Sequence, residues 1–257
     1  MQTLTPFIDA TGAHSNPSKL RQIAEAHGHL LLRQLLPKEV VAPIRESVLK
    51  AAHAQGLITH HGSVTIDLNV MPTWEGYADP RWIAVQQVVL ATEEAQALPA
   101  HPALVDLMEA LYQGPVMTHR GDICRLGMPD RYAPKHTTPP HQDHYYLGGS
   151  TDLWTAWTPL ADCPLSLGPL AVWSGSHRGG YKAHAGEGEG QQRVDLDAEV
   201  SWTSGALEVG DVVLFHCMTV HRALPNVTAD SLRISMDMRY QPADQPIDTE
   251  RLDGTRP

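Results

Sequence analysis

The sequence predicts a mainly β protein with flanking α-helices. Three observations carry that reading. Apolar residues recur at helical spacing in the first half, and short apolar runs broken by Gly, Pro, Asn and Asp fill the second half. The strand–helix alternation of a parallel sheet is missing, as are GxGxxG and GxxxxGK[ST]. At 257 residues the chain is long enough to bury one sizeable core. A single domain over 1–257 is therefore expected, with a helical part at about 17–113, a β core at about 114–241 and a tail at 242–257.

Taken in order, Pro17–His27 reads as a short helix and His29–Leu35 as a first strand. Pro37 suits the first turn of a helix, because its missing N–H would be unpaired there anyway. After it Val40, Ile44 and Val48, beside Val41, Leu49 and Ala52, form an apolar stripe, and Gly56 supplies a stop. Pro80–Leu98 and Pro102–Tyr112 read as two further helices around Pro99. Strands are then expected at Val116–Leu126, Asp143–Leu147, Leu153–Pro159, Leu170–Trp173, Gly205–Val209, Val212–Phe215 and Leu232–Tyr240, as in an all-β sandwich or barrel. Pro129–Pro140 and Gly179–Gly190 read as loops.

Composition narrows the partners. A formal charge of -10 and the absence of a Lys/Arg run disfavour nucleic acid and anionic membrane surfaces. No apolar stretch is long enough to span a bilayer, and the N-terminus lacks signal-peptide order. The three cysteines, Cys124, Cys163 and Cys217, are widely spaced and form neither a disulfide framework nor a zinc motif. A cytoplasmic protein with reduced thiols, acting on a small molecule, is the expectation. Oligomeric state is not legible.

The chemistry sits in the β half. His141-Gln142-Asp143 opens a predicted strand, where side chains two apart share a face, and His221 follows Asp143 by 78 residues, just after another strand. Two histidines and a carboxylate form the facial triad of non-haem Fe(II) oxygenases. The triplet alone is weak: taken by itself, a polar pair at a strand edge outweighs it by roughly ten to one. Arg233 follows 12 residues after His221, on a strand where Arg233, Ser235, Asp237 and Arg239 alternate with Ile234, Met236 and Met238. That polar face is either solvated or turned into a barrel, where a guanidinium fork could hold a dicarboxylic acid.

The stretches PPHQDHYY, LWTAWTPL, GPLAVWSGSHRGG, LEVGDVVLFHCMTVHRALPN and LRISMDMRY resemble, in that order, the phytanoyl-CoA dioxygenase family of Fe(II)- and 2-oxoglutarate-dependent oxygenases. The likeness covers roughly 116–241 and extends weakly to GHLLLRQLLPKEVV. It implies a double-stranded β-helix (jelly-roll, cupin-like) core with helices on one side. His141, Asp143 and His221 would ligate Fe(II), and Arg233 would bind the distal carboxylate of 2-oxoglutarate. Trp157 would line the co-substrate pocket or simply pack in the core. The choice of His221 over His216 rests on the family-like segment His221–Asn226. Many relatives carry a serine two residues after the distal histidine; here Ala223 stands there, and Ser235 is the expected replacement hydroxyl. A co-substrate contact from a strand before His141 falls among Thr118, His119 and Arg125. Tyr145, sharing strand parity with His141 and Asp143, is the expected substrate-facing residue, ahead of Arg239, Arg222 and Lys182.

The reaction so implied uses O2 to convert 2-oxoglutarate to succinate and CO2 while a small molecule is hydroxylated. Asp143 occupies the position where related halogenases leave room for chloride, which favours hydroxylation. Two rivals stand beside it: a cupin-like metalloenzyme without 2-oxoglutarate, which would not need Arg233, and a catalytically silent jelly-roll binding protein.

Overall fold

The computed structural model describes residues 4–119, 122–132, 136–186, 192–196 and 200–249. Helix α1 (Pro17–His27) begins where the Asn16 side chain accepts a hydrogen bond from the Lys19 amide. It ends at Gly28, which adopts φ 66°, and a Cβ there would collide with the His177 ring. Strand β1 (His29–Leu32) follows, and then α2 (Lys38–Ala54), with Pro37 standing as its N-cap. The helix expected over Pro80–Leu98 is divided into α3 (Pro80–Leu90) and α4 (Glu93–Ala97). Thr92 lies at the break, and its hydroxyl accepts from the Ala95 amide. Helix α5 (Pro102–Tyr112) has the expected bounds.

The expected strand Val116–Leu126 is two strands, β2 (Val116–Thr118) and β3 (Ile123–Gly127), which pair with different parts of β10 (Arg233–Pro242). The main antiparallel sheet runs β1–β8–β4–β10–β2, with β4 spanning Trp154–Pro159 and β8 Val212–His216. A smaller sheet pairs β5 (Leu170–Val172) with β9 (His221–Ala223) and is extended by bridges to Thr203 and His141. A hairpin, β6 (His184–Ala185) with β7 (Arg193–Val194), rises from the segment read as a loop, of which 187–190 lie outside the described residues. Residues 133–135 of the proline-rich segment and 250–257 of the expected tail also lie outside them. Gly205–Val209 is not a strand; its ladder bonds are limited to the Cys163–Leu207 bridge.

Strand parity divides the chemistry from the packing. Leu30, Leu32, Leu214, Ala156, Ile234, Met236 and Met238 face the helices in the largest apolar cluster. Each of the buried Leu, Ile and Met side chains among them contributes about 1.5–3 kcal/mol. The opposite face of the main sheet carries Leu31, Val213, Phe215 and Trp157, packed with Leu170 and Val172 of the smaller sheet. The polar residues of β10 share that inner face. The polar side of β10 is thus turned into the protein, and Arg233, Ser235, Asp237 and Arg239 are all buried. Among the described residues, no helix is long and apolar enough to cross a membrane.

Candidate metal and co-substrate site

His141 and His221 face each other across an antiparallel bridge, each amide donating to the other's carbonyl at 2.9 Å. Their ring centroids lie 4.1 Å apart. The strand expected over Asp143–Leu147 is instead a helical turn, α6 (Asp143–Leu147), and Asp143 is its first residue. A turn so short folds because its surroundings hold it, here through the His144 amide donating to the Cys217 carbonyl at 3.2 Å. The convergence of His141 and Asp143 therefore comes from a bridge followed by a turn, and not from strand parity. The ligand atoms of His141, Asp143 and His221 all lie within 4.8 Å of one another, and all three residues are buried.

His141 Nδ1 faces the Pro139 carbonyl at 2.8 Å, and His221 Nδ1 faces the Thr219 carbonyl at 3.0 Å. A carbonyl only accepts, so each Nδ1 carries the proton and each Nε2 turns its lone pair inward. Burial, then the neighbouring His221, lowers the His141 pKa to about 4, which keeps that ring neutral. Burial alone would raise the Asp143 carboxyl; with both imidazoles presenting lone pairs, the Arg239 guanidinium at 3.7 Å is the positive group that pulls it back down. Asp143 Oδ1 lies 3.6 Å from His141 Nε2 and 3.5 Å from His221 Nε2. Inward lone pairs around an anionic oxygen repel unless a cation sits among them. The donor set fits a divalent metal, with carbonyl partners fixing both imidazoles.

A cleft opens beside these atoms. His141, His221, Trp157, Leu170 and Phe215 form part of its wall, and Arg125, Thr138, Arg222, Ala223, Arg233 and Asp237 the rest. Arg233 is 6% exposed. Its Nη1 donates to the Gly168 carbonyl at 2.7 Å, its Nε has no hydrogen-bond partner, and burial lowers its pKa. Among the described residues no carboxylate pairs with it, whereas Arg125 holds Asp237 at 2.7 Å. Ser235 is fully buried, two residues along the same face, and its hydroxyl also lacks a partner. Trp157 forms part of the cleft wall and is also a member of the inter-sheet cluster.

The other sequence candidates are divided between the cleft and places away from it. His216 packs edge-on against Trp154 at 5.4 Å, away from the triad. Tyr145 loses its parity argument with the helical turn; its ring stacks on His184 at 4.4 Å, and Tyr146 is the ring lying 5.5 Å from His141. Arg222 covers Trp202 at 4.9 Å and also borders the cleft, whereas Lys182 lies over Trp173. Arg239 sits beneath Asp143 at 3.7 Å. Of the three residues before His141, Arg125 borders the cleft, Thr118 is exposed and His119 bonds Gln241. Sequence reasoning missed Tyr77, whose hydroxyl joins Arg125 and Thr138 at 2.7 and 2.6 Å. No motif marks it, because it comes from an irregular turn in the helical half. It missed Thr155 as well, although its place two residues before Trp157 on one strand face was a usable signal.

A jelly-roll core carrying two inward imidazoles, a carboxylate and a buried arginine without a carboxylate partner among the described residues is the architecture of a non-haem Fe(II)- and 2-oxoglutarate-dependent oxygenase. The model of the phytanoyl-CoA dioxygenase (PhyH) family matches residues 24–235, and the chain belongs to that family. It is 30% identical over 254 residues to 1-deoxypentalenic acid 11-beta-hydroxylase of Streptomyces arenae, covering 94% of this chain and 87% of that one. The enzyme of the same description from Streptomyces exfoliatus is 28% identical, with the same coverage. Among solved structures, the epimerase SnoN in complex with Fe3+, alpha ketoglutarate and nogalamycin RO matches with a TM-score of 0.64 at 22% identity, over 91% of this chain and 86% of that one. The non-heme monooxygenase ThoJ matches at 0.66 and 19%, over 89% and 79%. The jelly-roll expectation and the oxygenase class both hold.

Proposed function

We propose that this Fe(II)- and 2-oxoglutarate-dependent oxygenase holds its iron through His141, Asp143 and His221 and hydroxylates a small molecule. The carrying observation is Arg233, a buried guanidinium without a carboxylate partner among the described residues, in the same cleft as the triad. A buried unpaired cation is costly, and a dianionic co-substrate reaching from the metal to Arg233 offsets that cost. An iron held by these three residues would supply the oxidising chemistry, in which O2 converts 2-oxoglutarate to succinate and CO2 while the substrate is hydroxylated. Arg233 orients the co-substrate by its fork, Ser235 supplies a further donor, and Trp157, Leu170 and Phe215 keep the slot dry. Arg125 is the candidate contact from the strand before His141.

The two Streptomyces relatives are named for hydroxylating 1-deoxypentalenic acid. A small organic acid of that kind is accordingly the first substrate class to test. Tyr145 remains a proposed substrate-side residue, now through its stack with His184 at the hairpin rather than through strand parity. The three free cysteines are buried, which suits a reducing cytoplasm as the location. The test is succinate release from 2-oxoglutarate with and without Fe(II). It should require the metal and vanish in Asp143→Ala; succinate formed at the normal rate by Asp143→Ala would refute the ligand set.

A further inference from the structure

The two oxygens of Asp143 have different surroundings. Oδ1 faces the two imidazole Nε2 atoms at 3.6 and 3.5 Å. Oδ2 turns away, to the Thr155 hydroxyl at 2.5 Å and to Arg239 Nε at 3.7 Å. We infer that Thr155 is a positioning residue that holds Asp143 Oδ2, so that the carboxylate meets the metal through Oδ1 alone. This rests on the ligand set proposed above.

The fold builds the contact with some care for geometry. Thr155 and Arg239 are register partners across β4 and β10 and stand side by side on the inner face, under the first residue of α6. Thr155 is fully buried, and an ionised carboxylate cannot donate, so the hydroxyl proton must point at Oδ2. Its length is that of a charge-assisted O–H···O⁻ bond, the strong kind. Arg239 is itself anchored: its Nη2 lies 3.4 Å from Asp237 Oδ2, which also accepts from Arg125 Nε at 2.7 Å. Asp143, Arg239, Asp237 and Arg125 thus alternate in charge along one buried line, and Oδ2 is its end.

The consequence concerns coordination number. Two imidazoles and one carboxylate oxygen leave three positions on an octahedral metal. A 2-oxo acid bound through its keto and carboxylate oxygens takes two, and the last is needed for O2. A bidentate Asp143 would fill it. Holding Oδ2 on Thr155 keeps that position available.

The test uses Co(II), anaerobically, with 2-oxoglutarate. Thr155→Val keeps the shape and β-branching but removes the donor; Thr155→Ser keeps the donor. The inference expects Co(II) affinity, by calorimetry, to fall about 10- to 100-fold in Thr155→Val, as for other groups that orient metal ligands. It expects Thr155→Ser to bind nearly as the natural protein does. The ligand-field spectrum and crystal structure of the loaded Val variant should show the carboxylate bound through both oxygens. Unchanged affinity with one-oxygen binding in Thr155→Val would overturn the inference, as would a Ser variant as impaired as Val. Should Thr155→Val not fold, the Co(II)-loaded natural protein decides, because Oδ2 on the metal there would overturn it directly. Asp143→Ala separates this from the parent reading: undiminished Co(II) binding by that variant would mean the ligand set itself is wrong.

Discussion

Replacing Arg233 by Met tests the co-substrate slot from both sides of the binding equilibrium. In the protein without co-substrate, Arg233 is a buried charge that donates to the Gly168 carbonyl and, among the described residues, has no carboxylate paired with it. Removing such a charge for an apolar side chain of similar length is expected to leave stability unchanged or to raise it. With co-substrate the balance reverses. Losing one partner of a buried charge pair costs about 2–5 kcal/mol, or roughly 30- to several-thousand-fold in affinity. The assay is the melting temperature, anaerobic, with Co(II) fixed and 2-oxoglutarate varied. At about 100 times its dissociation constant a ligand stabilises by about 2.7 kcal/mol, and a variant binding 100-fold more weakly retains only about 0.4 kcal/mol of that. Arg233→Met should thus melt at or above the natural protein's temperature without 2-oxoglutarate and barely respond to it. Arg233→Lys should respond weakly, since an ammonium keeps charge but loses the fork. A full thermal response in Arg233→Met, with metal bound, would refute the reasoning.

Further outcomes follow from the same geometry. His221→Ala should lose metal binding and succinate release, while His216→Ala, whose ring packs on Trp154, should keep much of both; the reverse pattern would mean the distal ligand is misassigned. Gly168 adopts φ 69°, and a Cβ there would collide with the Leu224 carbonyl, so Gly168→Ala should both lower the melting temperature and weaken 2-oxoglutarate binding by shifting the carbonyl that holds Arg233. Burial lowers the pKa of His29 and of His216 to about 4 from 6.5. Between those values the unfolded chain binds more protons than the folded one, so stability is full above about pH 6.5 and declines as pH falls toward 4. Each group contributes a slope approaching 1.4 kcal/mol per pH unit, to be read from urea midpoints of the metal-free protein; a flat profile over that window would contradict it.

The helices and the main-sheet strands were legible because their periodicity is plain, as in the β10 alternation of Arg233, Ser235, Asp237 and Arg239 with apolar neighbours. Periodicity cannot say which face turns inward, and here the polar one does. The strand assigned to Asp143–Leu147 failed because five residues rich in His and Tyr carry no decisive period, and a tertiary bond to the Cys217 carbonyl, with a local one to the Gln142 carbonyl, sets the turn. Asp143 still reaches the imidazoles, by a route the sequence did not reveal. Ser235 and Arg233 could be nominated from one strand. Tyr77 and Thr138, in contrast, enter the site through irregular segments whose paths depend on long-range packing.

The central claim is that one cleft holds a metal on His141, Asp143 and His221 and the distal carboxylate of 2-oxoglutarate on Arg233. A crystal structure of the protein loaded anaerobically with Fe(II) and 2-oxoglutarate tests it most directly. The account predicts the metal within about 2.0–2.2 Å of His141 Nε2, Asp143 Oδ1 and His221 Nε2, the range typical of imidazole and carboxylate ligands, with both Arg233 donors on the far carboxylate. Metal bound at other side chains, or 2-oxoglutarate lying away from Arg233, would contradict it.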